Sequence, residues 1–206
     1  MYTSPQTIKV IKELLKGSQI TQLELSRRTN VSIGQVNNVV KKLKNAFLAN
    51  VDPKKGAKLV DESRLLAAIG VTAPLSSSAQ NTLLMPFSQS QTINKIAEAL
   101  PPQKYAFTLM SAIAKYSAYA QGETVSLYVD ANAMEEALAR LGKLASKRGI
   151  PVEIFEANEG ILFDVKKDGN KRYVSNEQLL IDLFRTPQLV YVGAQLLREY
   201  KQAHST

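Results

Sequence analysis

Residues 21–47 read TQLELSRRTNVSIGQVNNVVKKLKNAF, and the spacing within them decides the fold at the N-terminal end of the chain. Thr21-Gln22-Leu23-Glu24 has the form of a capping box, and Ser32-Ile33-Gly34-Gln35 repeats it. In each, the hydroxyl can accept from the backbone N–H three residues on, while the Glu or Gln side chain reaches back. The pattern predicts two helices with Asn30 between them as a left-handed turn residue. In the first helix Leu23 and Leu25 are expected to point inward. In the second, Val36, Val39, Val40, Leu43 and Phe47 recur at spacings of three and four, which makes one apolar stripe. Gly34, Gln35, Asn37, Asn38, Lys41, Lys42 and Lys44 fall off that stripe. Carboxamides on such a face can pair with base edges, and ammoniums can meet phosphates. The stretch reads as a helix-turn-helix with a recognition helix.

The flanking residues extend the motif. Ser4-Pro5 starts a helix carrying Ile8, Val10, Ile11, Leu14 and Leu15 and stopped by Gly17, and Gln19-Ile20 adds a short strand. After the recognition helix, 48–51 and 57–60 make two strands around Asp52-Pro53-Lys54-Lys55-Gly56, a hairpin tipped by two lysines. Three helices and a basic hairpin are the order of a winged helix. Asp61 caps a short helix over 62–69 that closes this first domain, 1–69. An ordinary exposed turn is the alternative reading of Lys54 and Lys55.

Charge is distributed unevenly. Residues 1–60 hold eleven Lys and Arg against three acids, whereas residues 61–206 hold fifteen of each sign, so the whole excess of +8 sits with the helix-turn-helix. A solvated lysine-rich surface is the alternative, but coincidence with the two capped helices favours a nucleic-acid face. The DNA-binding candidates are Arg27, Arg28, Ser32, Gln35, Asn37, Asn38, Lys41, Lys42, Lys54 and Lys55. The absence of Cys excludes disulfides and thiolate metal sites, and the single His, His204, leaves no basis for a His dyad or a multi-His metal site. No cofactor or metal is expected. No apolar run has the length of a membrane span and no signal-peptide pattern opens the sequence, so the expected location is the cytoplasm, away from membranes.

Residues 70–91 are poor in charge and rich in Ser, Thr, Gln and Ala, and read as a linker or an extended crossing strand. From 92 to 206 helices and strands alternate, which predicts a mixed α/β domain with a small sheet and an overall α+β class. Expected helices cover 92–100, 105–120, 132–148, 175–184 and 188–202. Expected strands cover 124–130, 152–155, 161–165 and 172–174, the last entered by a tight turn at Asp168-Gly169-Asn170. The domain shows no phosphate loop, nucleophile elbow or metal cluster. One enzymatic arrangement offers itself as the alternative function. Asp164 and Lys166 on a strand beside Glu153 could bind Mg²⁺ as in metal-dependent nucleases, with the winged helix as targeting module. Structural roles are expected for Asp130, at a strand end, and Asp182, within a helix. Tyr105, Tyr116, Tyr119 and Tyr128 read as core residues with their hydroxyls reaching partners, the alternative being a ligand pocket or a base-stacking surface.

The segment Tyr173-Val174-Ser175-Asn176-Glu177-Gln178-Leu179-Leu180-Ile181-Asp182-Leu183 resembles the V-S-x-x-Q-L-x-x-D-L stretch of the AbiEi-like antitoxins of type IV toxin–antitoxin systems. The Tyr-Ala-rich stretch 104–120, the strand 125–129 and Val192-Gly193-Ala194-Gln195-Leu196-Leu197 are similar to that family in their order. The resemblance implies a transcriptional regulator that represses its own operon through the winged helix. Its functional counterpart would be a nucleotidyltransferase-like toxin, without direct contact being implied. The matched residues would be structural, and no catalytic residue is expected. Regulators of this type commonly bind two half-sites as homodimers, although no heptad pattern here sets a stoichiometry. A protein-interaction module remains the other alternative to the DNA reading.

Overall fold

The computed structural model describes residues 4–75, 79–116 and 123–204, and the chain folds as two compact units, Met1–Pro74 with Leu183–Thr206, and Leu75–Asp182. In the first unit α1 (Pro5–Leu15) starts at Ser4, whose hydroxyl accepts from the Thr7 N–H at 3.3 Å. The Thr21 hydroxyl starts α2 (Gln22–Thr29), accepting from the Glu24 N–H at 3.2 Å. Asn30 ends α2 in the left-handed conformation (φ 53°, ψ 37°), and the Ser26 hydroxyl donates to the Val31 carbonyl across the turn at 2.6 Å. Ser32 then starts α3 (Ile33–Asn45), accepting from the Gln35 N–H at 3.4 Å. The reaching-back halves of both expected boxes are engaged elsewhere. Glu24 accepts from Arg28 Nε at 2.7 Å, and Gln35 Oε1 accepts from the Ser32 hydroxyl at 3.1 Å. Leu25 is fully buried, but Leu23, expected inside, is 51% exposed.

Strands β1 (Ala49–Asp52) and β2 (Gly56–Leu59) pair antiparallel from Ala49↔Leu59 to Asp52↔Gly56. Ile20 and Ala57 exchange backbone hydrogen bonds at 3.0 and 2.8 Å, supplying the short third strand. Gly56 permits this approach: it sits at φ +92°, and a Cβ there would lie 2.1 Å from the Ile20 carbonyl oxygen. The winged-helix order is present. Helix α4 (Glu62–Thr72), capped by Asp61, runs three residues beyond its expected end.

The expected division into 1–69, 70–91 and 92–206 differs from the observed units at the C-terminal side. Residues 183–206, including the whole of the helix that ends at His204, belong with the first unit. Backbone proximity and polar contacts join the returning segment to α4, and Leu196, Leu197 and Tyr200 are buried. At Gly70 a Cβ would come within 2.2 Å of the Phe184 carbonyl oxygen, so α4 lies directly against that backbone. Arg185 Nε donates to the Ala73 carbonyl at the C-terminus of α4 at 2.7 Å, where a cation suits the helix dipole. Lys201 Nζ meets Glu62 Oε2 at 2.5 Å.

The second unit is built on a six-stranded mixed sheet in the order β3-β6-β5-β4-β8-β7. Its strands are β3 (Ala79–Met85), β4 (Tyr105–Thr108), β5 (Val125–Asp130), β6 (Ile150–Ala157), β7 (Lys166–Asp168) and β8 (Lys171–Tyr173). Helix α5 (Gln89–Ala99) follows β3, and α6 (Met110–Tyr116) follows β4. Helix α7 (Met134–Gly142) connects the parallel strands β5 and β6 and, with α5, packs on β5. Helix α8 (Asn176–Phe184) follows β8, and α9 (Val190–His204) lies in the part of the chain that returns to the first unit. The crossing-strand reading of 70–91 holds for β3, which pairs antiparallel with β6, and a reciprocal capping box at Ser88 and Gln91 starts α5 three residues before the expected 92.

Two expectations are corrected here. Residues 105–108, expected as helix, form β4, all four of them buried, and Leu109 (φ 49°) separates this strand from α6. A strand buried on both faces carries no polar alternation to distinguish it from a buried helix. Residues 161–165, expected as a strand, form turns instead. Asn158 Oδ1 accepts from the N–H groups of Gly160 and Ile161 at 2.9 and 3.2 Å, and Asp164 lies at φ 63°. Helix α7 is also shorter than the expected 132–148. Tyr119 lies outside the described residues.

Candidate nucleic-acid interface

Helix α3 spans about 20 Å at 1.5 Å per residue. Val36, Val39, Val40 and Leu43 are buried, while Gly34, Gln35, Asn37, Asn38, Lys41, Lys42 and Lys44 are exposed. Asn38, Lys41, Lys42 and Asn45 recur at three and four along the middle of the outer face. The side chains of Asn37, Asn38, Lys41, Lys42 and Lys44 form no hydrogen bond or ion pair among the described residues. Desolvating them against a partner therefore breaks no internal bond. Ser32 and Gln35 are placed differently, with their polar groups joined in the cap of α3.

Phe47 departs from its expected place on the buried stripe. The Leu48 N–H donates to the Leu43 carbonyl and the Phe47 N–H to the Lys44 carbonyl, each at 2.9 Å, which closes α3 as a Schellman motif. Phe47 occupies the left-handed position of that motif (φ 57°), where glycine is usual, and is 78% exposed. It lines a groove with Lys44, Pro53 and Val60 beside the wing. Lys44, read from the sequence as lying off the apolar stripe but not counted among the DNA-binding candidates, is exposed beside this groove.

The wing tip is shaped by one carboxylate. Asp52 Oδ1 accepts from the backbone N–H groups of Lys54 and Lys55 at 2.8 and 2.7 Å. Those two bonds, Lys55 foremost, hold its carboxyl below the usual aspartate range. The Lys54 and Lys55 side chains are left exposed and unpaired among the described residues.

The two arginines of α2 are not equivalent. Arg27 is exposed and makes no side-chain bond among the described residues. Arg28 is held by Glu24 at 2.7 Å and by Glu13 of α1 at 3.0 Å. Hydrogen bonds from Glu24 and then Glu13 raise its pKa further. Burial alone would raise the Glu13 carboxyl, but hydrogen bonds and charge from Lys16 and Arg28 outweigh it, and the carboxyl stays below its usual range. Arg28 thus joins α1 to α2, and its charge is largely answered within the protein.

Residues 4–46 match the winged helix-turn-helix DNA-binding family. The match covers α1, α2 and α3, the last of which presents the open amide and lysine face. No curated protein and no solved structure matches the chain.

The alternative nuclease constellation is not assembled. Glu153 lies on β6 and Lys166 on β7, with β5, β4 and β8 between them, or about 19 Å at 4.8 Å per strand. Asp164 sits in the turn before β7 instead of on a strand, and Glu153 accepts from the Ser126 hydroxyl at 3.0 Å. Among the described residues no group of three or more His, Asp or Glu is placed to hold a metal ion, and no helix is long and apolar enough to cross a membrane.

The remaining polar candidates of the second unit serve its framework. Asp130 accepts from the Asn132 N–H at 2.9 Å and starts a short 3₁₀ turn. Asp182, fully buried on α8, accepts from the Thr108 hydroxyl at 2.6 Å, the Tyr128 hydroxyl at 2.8 Å and Gln178 Nε2 at 2.9 Å. It therefore ties α8 to β4 and β5. Tyr105 is buried in β4, with its hydroxyl donating to the Asn170 carbonyl at 2.9 Å.

Proposed function

We propose that this protein is a sequence-specific transcriptional regulator that places α3 in the DNA major groove and represses its own operon. The observation that carries the reading is the outer face of α3, where Asn37, Asn38, Lys41 and Lys42 stand exposed and unbonded among the described residues of a family-matched helix. Asn37 and Asn38 can pair bidentately with adenine N6 and N7, which gives discrimination. Arg27, Lys41, Lys42, Lys44, Lys54 and Lys55 can hold phosphates and set the register. Arg28 supports α2 from within.

The regulator serves, in this proposal, as the antitoxin of a type IV toxin–antitoxin system. Support for that part comes from the resemblance of residues 173–183 to AbiEi-like antitoxins. Gln178 and Asp182 of that segment lie in the buried network, in keeping with a framework role for the matched residues. The test is binding of the protein to its own upstream DNA and to random DNA over a salt series. Tight, salt-sensitive preference for the upstream fragment is expected. Equal, weak binding to both would remove the autoregulator reading.

A further inference from the structure

One apolar side chain on the recognition helix stands outside the core, in line with the amide–lysine face. Ile33, the first residue of α3, is 53% exposed, although the next apolar positions, Val36, Val39 and Val40, are all buried. Asn37 lies four residues on and Lys41 four beyond that, so the three side chains form one row along the helix. An isoleucine in this row carries no charge for phosphate and no donor or acceptor for a base edge. Its chemistry suits the one apolar group that the major groove displays, the C5-methyl of thymine. The neighbouring Asn37 carboxamide suits adenine, and the unpaired lysines of the same face answer the charge of a duplex.

We infer that Ile33 is a specificity-determining residue that packs on a thymine methyl, beside an adenine read by Asn37, so that this edge of the site selects an A·T-containing step. The inference rests on the DNA reading above and adds to it which base the row chooses and by what force. Ile33 contributes little to the core, so its replacement leaves the fold intact.

The test begins with duplexes selected by the full chain from a random pool. Each thymine of the selected site is then replaced singly by deoxyuridine, which removes the methyl and keeps the pairing edge. At one thymine the replacement is expected to weaken wild-type binding about fourfold, the factor for uncovering one methyl group. In Ile33→Ala the same replacement is expected to cost nothing, and Ile33→Val should retain part of the sensitivity. Wild-type indifference to deoxyuridine at every position would overturn the inference while leaving sequence-specific binding in place. Undiminished sensitivity in Ile33→Ala would overturn it as well. A pool that yields no preferred sequence would instead remove the sequence-reading function, and the inference with it.

Discussion

Lys41 and Arg28 are both basic residues of the helix-turn-helix, yet their surroundings predict opposite consequences of removing them. Arg27, Lys41, Lys42, Lys44, Lys54 and Lys55 carry charges unpaired among the described residues, whereas Arg28 is answered by Glu13 and Glu24. If these six cations each displace one counterion, the slope of log K against log salt is about −5. Raising salt from about 50 to 200 mM then weakens binding about 10³-fold. Replacing Lys41 by Gln should make the slope shallower by about 0.9, so the same rise in salt costs about 3.5-fold less affinity. Replacing Arg28 by Gln should leave the slope near its wild-type value. It should instead lower the thermal midpoint, because Glu13, 4% exposed, keeps Lys16 at 2.6 Å but loses Arg28. Fluorescence anisotropy over a salt series, with melting curves for each variant, measures both quantities. An unchanged slope in Lys41→Gln, or an equal loss of slope in Arg28→Gln, would refute this partition of charge.

Further outcomes follow from other parts of the molecule. Asn38→Ala should reduce discrimination between the preferred and random duplexes by about 1–3 kcal/mol; equal losses on both, in a competition assay, would exclude base reading by Asn38. Gly56→Ala places a methyl 2.1 Å from the Ile20 carbonyl oxygen at a positive φ, and should cost more than about 1 kcal/mol in urea denaturation and disorder the wing amides in NMR spectra. Asp182→Ala removes the common acceptor of Thr108, Tyr128 and Gln178, and should destabilise the second unit by about 3 kcal/mol or more; a smaller loss would show that the network contributes little. The Asp52 carboxyl is depressed in the folded state, so its contribution to the wing is present above the unfolded pKa and is lost as pH falls through the folded one. The amide shifts of Lys54 and Lys55 should therefore titrate together, with a midpoint below the ordinary aspartate range.

The parts of the fold visible in the sequence were those encoded by local chemistry. Ser4, Thr21, Ser32 and Asp61 all cap the helices expected of them, and Asn30 adopts the turn conformation its side chain tolerates. The α3 face was readable for the same reason, since Val36, Val39, Val40 and Leu43 mark its inner side by spacing alone. Phe47 was misplaced because the stripe continues through it on paper, while the Schellman motif ends the helix at Asn45. β4 escaped because burial on both faces removes alternation. The restraint on Arg28 depends on Glu13, fifteen residues away on another helix, and helical spacing conveys nothing about such a partner. Gly70 and Phe184 meet through backbone atoms, which leave no periodic trace at all.

The return of residues 183–206 to the first unit has a consequence for how the protein is made. The recognition helix and the wing leave the ribosome early, but Arg185 and Lys201, which hold Ala73 at the end of α4 and Glu62 at its start, follow about 110 and 140 residues after those partners. At about 5–20 residues per second those intervals are about 6–28 s. A nascent chain thus carries the apparatus for meeting DNA before the helix that closes its supporting unit exists. Early termination after α4 leaves this unit unclosed, so a finished copy of it always comes with residues 75–182 attached.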